Sequence, residues 1–199
     1  MQALLIAASP SERSRSAALL EGAAGALERA GVAARTLALR DLPAEPLLRA
    51  RTSEAPLREA LQQVAQAHAI VLATPIYKAA YSGLLKAFLD LLPQDGLHGK
   101  WIWPLATGGS PAHTLALDHS LRPVLDNLGA HQVVPSVYAL ESQVVFGDGE
   151  SAASGPRFDA DVQRRLDIGA TRLAHALESQ AHLRERHERA PLSLVRCSA

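Results

Sequence analysis

The chain has 199 residues, 48% of them hydrophobic, which is enough to bury one core and short for two domains. Its 20 basic and 20 acidic residues cancel, so no overall field draws it to nucleic acid or to an anionic membrane surface. One cysteine, Cys197, excludes an internal disulfide and a cysteine-rich zinc centre and suits a reducing, cytoplasmic setting.

The apolar run Ala3–Ala7 reads as a first buried strand; it is too short for a signal peptide, and nothing in the chain approaches a membrane span. It feeds Ser9-Pro10-Ser11-Glu12-Arg13-Ser14-Arg15-Ser16 and then a helix with Leu20, Ala23, Ala24 and Leu27 on one face. Hydroxyls and guanidiniums thus gather at a helix N-terminus, whose free N–H groups and macrodipole favour an anion. The segment is a phosphate cradle in outline, or else an ordinary N-cap at Ser14 or Ser16 with solvated arginines. It contains neither G-x-x-x-x-G-K-[ST] nor G-x-G-x-x-G, which excludes a Walker loop and the usual dinucleotide fingerprint.

A second strand follows near Ala34–Leu39, and Arg40–Ser53 reads as a loop. The next helix has Pro56 in its first turn and Leu57, Leu61, Val64 and His68 on one face. Ala69–Ala73 is a third, fully buried strand, and Pro75 is expected to stop its ladder. Tyr77, Lys78 and Tyr81 then place a cation and two aromatics where a planar, polar-edged ligand would fit. The helix Gly83–Leu92 is apolar nearly all round apart from Lys86 and Asp90, so its outer side is expected to meet another subunit.

The fourth strand, Trp101–Leu105, runs into Ala106-Thr107-Gly108-Gly109-Ser110. Paired glycines let the backbone approach a flat ligand and turn its N–H groups toward ring carbonyls; alone, they make a turn capped by Ser110. Further on, Pro123 lacks the N–H that would bond the carbonyl of His119, so an irregular, π-bulged turn is expected there. Without it, His119 is a surface histidine on a kinked helix. His113 lies six residues before His119 and makes no metal pair with it. A fifth strand spans Val133–Tyr138, Ser142–Arg157 is a Gly- and Ser-rich loop, and the last helix repeats through Phe158, Val162, Leu166, Gly169, Leu173 and Leu177. One domain over 1–180 is expected, with a mobile tail over 181–199.

Strands alternating with helices predict an α/β fold, flavodoxin-like, with five parallel strands in the order 2-1-3-4-5 and helices on both faces. Three strand ends, after the first, third and fourth strands, each carry a loop suited to part of one phosphorylated planar ligand.

SPSERSRS, TPIYKAAYSGLLKAFLDLLP and PLATGGSPAHTLALDHSLRPVL resemble the NADPH-dependent FMN reductases that supply reduced flavin to the alkanesulfonate monooxygenase, over roughly 1–142. The resemblance implies non-covalent FMN, NADPH as hydride donor to flavin N5, transfer of reduced flavin to a partner monooxygenase in sulfur acquisition, and a tetramer with active sites at subunit contacts. It implies that Ser9, Ser14, Arg15 and Ser16 hold the flavin phosphate. Pro75, Ile76, Tyr77 and Lys78 would line the ribityl chain and ring, and Thr107, Gly108, Gly109 and Ser110 would hold the ring edge. His119 stands where the alkanesulfonate branch commonly has a tyrosine as the extra residue of a π-helical turn, and a histidine there resembles the methanesulfonate-linked branch. Its implied role is control of flavin retention and release. The rivals are a quinone or azo reductase that keeps its FMN, and a flavodoxin-type electron carrier that would not oxidise NADPH; such carriers are acidic, and this chain is neutral.

Overall fold

The computed structural model describes residues 1–146 and 155–189. In chain order these form β1 (Gln2–Ala7), α1 (Arg15–Arg29), β2 (Ala33–Ala38), α2 (Ala44–Leu48), α3 (Ala55–Gln66), β3 (Ala69–Tyr77), β4 (Ala80–Tyr81) and α4 (Gly83–Leu89). After them come β5 (Trp101–Gly108), a π-helical turn (Leu117–Leu121), α5 (Arg122–Asn127), β6 (Gln132–Val133), β7 (Val137–Leu140), β8 (Val144–Val145), β9 (Arg157–Phe158) and α6 (Ala160–Arg189). The main sheet runs β2-β1-β3-β5-β6, all parallel, with β7 also on β5 and β4 returning antiparallel along β3. This is the expected flavodoxin-like order, but the sheet has seven strands rather than five.

Both extra strands have a local cause. From Ile102 to Leu105, β5 advances three residues, whereas its partner advances four, from Val133 to Val137. One residue is therefore bulged out, and the expected strand Val133–Tyr138 is split into β6 and β7 around Pro135. Trp101 N–H bonds His68 on the β3 side and Ile102 C=O accepts from Val134 on the other. Alternation then turns Pro104 toward the bulge, where its missing N–H breaks no ladder bond. The same reasoning corrects the expectation that Pro75 ends its strand. Ala73 C=O accepts from Ala8 N–H, so Pro75 faces the side that β1 has already left, and β3 continues to Tyr77 with Pro75 opposite Thr107.

Each face of the sheet has its own core. On one, Leu19 and Leu27 of α1 and Leu166 and Leu173 of α6 pack with Leu5, Val71 and Trp103. On the other, Leu47 of α2, Leu57 of α3, Phe88 of α4 and Leu125 of α5 cover Leu4, Ile6, Ile70 and Ile102. Burying about 1.5–3 kcal/mol of transfer free energy per large apolar side chain on both faces is what makes the near-continuous apolar strands stable.

Other expectations shift at their edges. Arg40–Ser53 is not all loop: it contains the short helix α2, entered from Pro43. His68 is not on the α3 face; it precedes β3, and its Nδ1 accepts from Gln2 N–H at 3.4 Å. Phe158 sits in β9, not in the last helix, with its ring over Gly22 of α1. The ends of the expected loop Ser142–Arg157 pair as β8 and β9, while 147–154 lie outside the described residues. Helix α6 continues to Arg189, into the segment read as tail, and 190–199 lie outside the described residues. Among the described residues no helix is long and apolar enough to cross a membrane.

Candidate functional site

The registers Ala7↔Ala73 and Pro75↔Thr107 bring the C-terminal ends of β1, β3 and β5 side by side. The three loops singled out in the sequence therefore share one sheet edge, at the point where the strand order reverses.

The first loop carries buried hydroxyls. Ser9, Ser14 and Ser16 are all nearly inaccessible. Ser14 is the N-cap residue of α1, yet its hydroxyl caps nothing; it shares a 2.9 Å hydrogen bond with Ser16 Oγ instead. Among the described residues no side-chain cap bond answers the N–H groups of the first turn, and no acidic residue occupies it. Ser9 Oγ accepts from Ser11 N–H at 3.2 Å, and the Arg40 guanidinium donates to Ser11 C=O, folding the loop back on itself. An uncapped N-terminus of a fifteen-residue helix beside three buried hydroxyls is chemically an anion receptor. Arg15, at the first helical position, is half-exposed and ion-paired to Glu141 at 3.2 Å.

The second loop is a tight hairpin. Lys78 (φ 50°) and Ala79 (φ 62°) are both left-handed without being glycine, the conformation a two-residue type I′ turn demands. Such residues cost about 1–3 kcal/mol each and persist only where surrounding contacts enforce them. Here two hydroxyls enforce them. Thr74 Oγ1 accepts from Ser82 N–H at 2.9 Å, and Ser82 Oγ donates to Ala8 C=O at 2.6 Å while capping α4 through Leu85 N–H. The pair ties the ends of β1 and β3 to the start of α4. Pro75 and Ile76 are buried against this frame, whereas Tyr77 and Lys78 project outward, exposed.

The third loop is clamped from below. Tyr138 Oη donates to Ser110 C=O at 2.6 Å, and a Cβ at Gly108 would lie 2.5 Å from that phenol oxygen. A Cβ at Gly109 would meet nothing within 4 Å. Gly108 is thus required by the protein's own packing, and Gly109 leaves open room beside buried Thr107. Ser110 Oγ accepts from Ala112 N–H, the capping role that was one of its two readings. Burial, helped by Glu141, holds the Tyr138 phenol above its ordinary value.

His119 sits in the middle of the π-helical turn Leu117–Leu121, exposed, with Pro123 just inside α5. The irregular turn expected from the proline is present, and it packs against β4, the return strand of the hairpin. His113 ends a 3-10 turn, and no group of three or more metal-binding side chains occurs among the described residues. Sequence reasoning missed Thr74, Ser82, Tyr138 and Glu141. Only Ser82 left a local trace, as a serine just before an apolar helix.

A groove of about 750 Å3 elsewhere, lined by Glu21, Gly25, Arg29, Ala34 and Phe158, adjoins the start of β2 at the opposite end of the sheet. It has none of the strand-end N–H groups, so its size does not mark it as the site.

Comparison with known proteins bears on the family to which the chain belongs. The sequence profile of the family described as NADPH-dependent FMN reductase matches residues 1–144. The FMN reductase (NADPH) of Escherichia coli is 41% identical over 177 residues, 89% of this chain and 90% of that one. The FMN reductase (NADPH) of Pseudomonas putida is 45% identical over 153 residues, 77% and 78% of the two chains. The solved apo structure of the NADH:FMN oxidoreductase EMOB superposes with a TM-score of 0.77 at 42% identity, covering 88% of this chain and 89% of that one. The chain belongs to the NADPH-dependent FMN reductase family and is an oxidoreductase that uses FMN and NADPH.

Proposed function

We propose that this chain binds FMN across the three strand-end loops and passes the reduced flavin to a separate flavin-dependent alkanesulfonate monooxygenase, serving sulfur acquisition in the cytoplasm. The observation that carries the reading is the uncapped first turn of α1 between buried Ser9, Ser14 and Ser16, which fits a phosphate and has no side-chain cap among the described residues. In this reading Ser9, Ser14, Arg15 and Ser16 hold the phosphate. Pro75, Ile76, Tyr77 and Lys78 flank the ribityl chain and ring, and Thr107, Gly108, Gly109 and Ser110 offer backbone to the ring edge, with Gly109 leaving the room that a Cβ would fill. When bound, FMN supplies the ring that accepts hydride from NADPH. The protein's part is to anchor, orient and expose that ring, and no side-chain acid or base is needed. His119, on a π turn against the hairpin, controls retention and release.

Self-association, as a tetramer, is part of the same proposal. Leu84, Leu91 and Leu92 are only half-buried, and Leu115 before the π turn is 58% exposed. The interface is smaller than the sequence suggested, because Leu85, Phe88 and Leu89 are consumed by the chain's own core.

NADPH oxidation with and without added free FMN, followed by gel filtration, tests the proposal. Turnover that depends on added FMN and a protein that elutes without flavin support a reductase that hands its flavin on. Flavin that co-elutes through repeated cycles, with quinones or azo compounds accepting the electrons, favours the rival reductase. A monomeric mass at micromolar concentration refutes the tetramer.

A further inference from the structure

Arg15 Nη1 lies 3.2 Å from Oε2 of Glu141, a residue 126 positions away in the chain. The backbone that carries this carboxylate is held in place. Glu141 opens the 3-10 turn Glu141–Gln143 after β7, and Gln143 Oε1 accepts from Leu140 N–H at 2.9 Å, closing that turn. The pairing Gly108↔Leu140 carries it to the same sheet edge as the glycine loop. Phe146 flanks the pair, its ring centre 5.9 Å from the Arg15 guanidinium and 4.8 Å from that of Arg13. The guanidinium at the start of the uncapped turn is therefore already matched by a carboxylate.

We infer that Glu141 lowers FMN affinity: its carboxylate competes with the flavin phosphate for Arg15, so that reduced flavin leaves more readily. This rests on the reading of Ser9–Ser16 as the phosphate cradle. A dianion reaching Arg15 must displace or share it with Glu141 and meets like charge beside it. Both side chains are about half-exposed, 43% and 54%, so solvent screens the effect. An exposed pair of this kind amounts to at most about fivefold in an equilibrium constant.

FMN and riboflavin are titrated into the full chain and into Glu141→Gln, Arg15→Ala and the double variant, at low and high salt, with thermal unfolding to confirm the fold. Glu141→Gln should bind FMN about two- to fivefold tighter at low salt, with riboflavin unchanged and the gain shrinking as salt rises. It should also retain more flavin on gel filtration, and in the Arg15→Ala background the gain should largely vanish. Weaker FMN binding by Glu141→Gln would show that Glu141 positions Arg15 rather than competing for it, and overturns the inference. Unchanged FMN binding overturns it as well. In both cases the cradle reading stands if Arg15→Ala weakens FMN and spares riboflavin. If Arg15→Ala weakens both ligands equally, or neither, the cradle reading fails and the inference with it.

Discussion

Adjacent glycines with opposite packing give a sharp test of the third loop. At Gly108 an added methyl would lie 2.5 Å from Tyr138 Oη and 3.2 Å from its Cζ, so the phenol must move. That loses its 2.6 Å bond to Ser110, about 0.5–1.5 kcal/mol net, and adds overpacking of about 1–3 kcal/mol. Gly108→Ala should therefore cost about 2–4 kcal/mol, which for a chain of this size lowers the melting temperature by about 5–15 °C. At Gly109 the methyl meets nothing within 4 Å, so Gly109→Ala should change stability by less than about 0.5 kcal/mol. If the flavin ring edge lies there, the same methyl intrudes on the ligand and FMN affinity should fall about tenfold or more. Thermal unfolding without flavin and flavin-fluorescence titration separate the two effects. Full FMN affinity in Gly109→Ala would remove the ring from this loop. A wild-type melting temperature in Gly108→Ala would refute the Tyr138 clamp.

Further outcomes follow from the frame around the loops. Thr74→Val leaves the buried Ser82 N–H without its acceptor and should destabilise the chain by about 1–3 kcal/mol in urea unfolding; no loss would mean the hydroxyl pair does not hold the hairpin. Because burial raises the Tyr138 phenol above 10.0, the folded chain binds more protons than the unfolded chain just above that pH. Stability should then fall as pH rises through the window, and Tyr138→Phe should remove part of that slope, with Tyr81, also raised by burial, keeping its share. An identical alkaline slope in Tyr138→Phe refutes the assignment. His119→Ala should retain more FMN on gel filtration and reduce free flavin more slowly with the fold intact, and deleting His119 should do so more strongly by restoring a regular helix up to Pro123. Wild-type retention and turnover in both variants would make His119 an ordinary surface residue.

The strand order and the loops at its reversal point were legible because apolar runs of four to eight residues alternating with amphipathic stretches leave few topologies. The π turn was legible because one proline removes one identifiable hydrogen bond. The continuation of β3 past Pro75 and the bulge opposite Pro104 were not legible. Whether a proline breaks a ladder depends on which side still has a neighbouring strand, a tertiary fact. The nine extra residues of α6 contain only Ala181 and Leu183 as apolar side chains, too few to leave a period to read beyond Gln180. Thr74 with Ser82, Tyr138 with Ser110, and Arg15 with Glu141 join residues 8, 28 and 126 apart, and no local pattern announces such pairs.

On the proposed reading the strand-end loops, and not the groove beside Gly25, Arg29 and Phe158, hold FMN. Hydrogen–deuterium exchange of the flavin-free protein, measured with and without saturating FMN, tests it most directly. The account predicts slowed exchange at Ser9–Ser16, at Tyr77–Lys78 and at Thr107–Ser110, with riboflavin protecting the last two segments but not the first. Protection confined to the groove beside Gly25, Arg29 and Phe158, with the three loops unchanged, would contradict it.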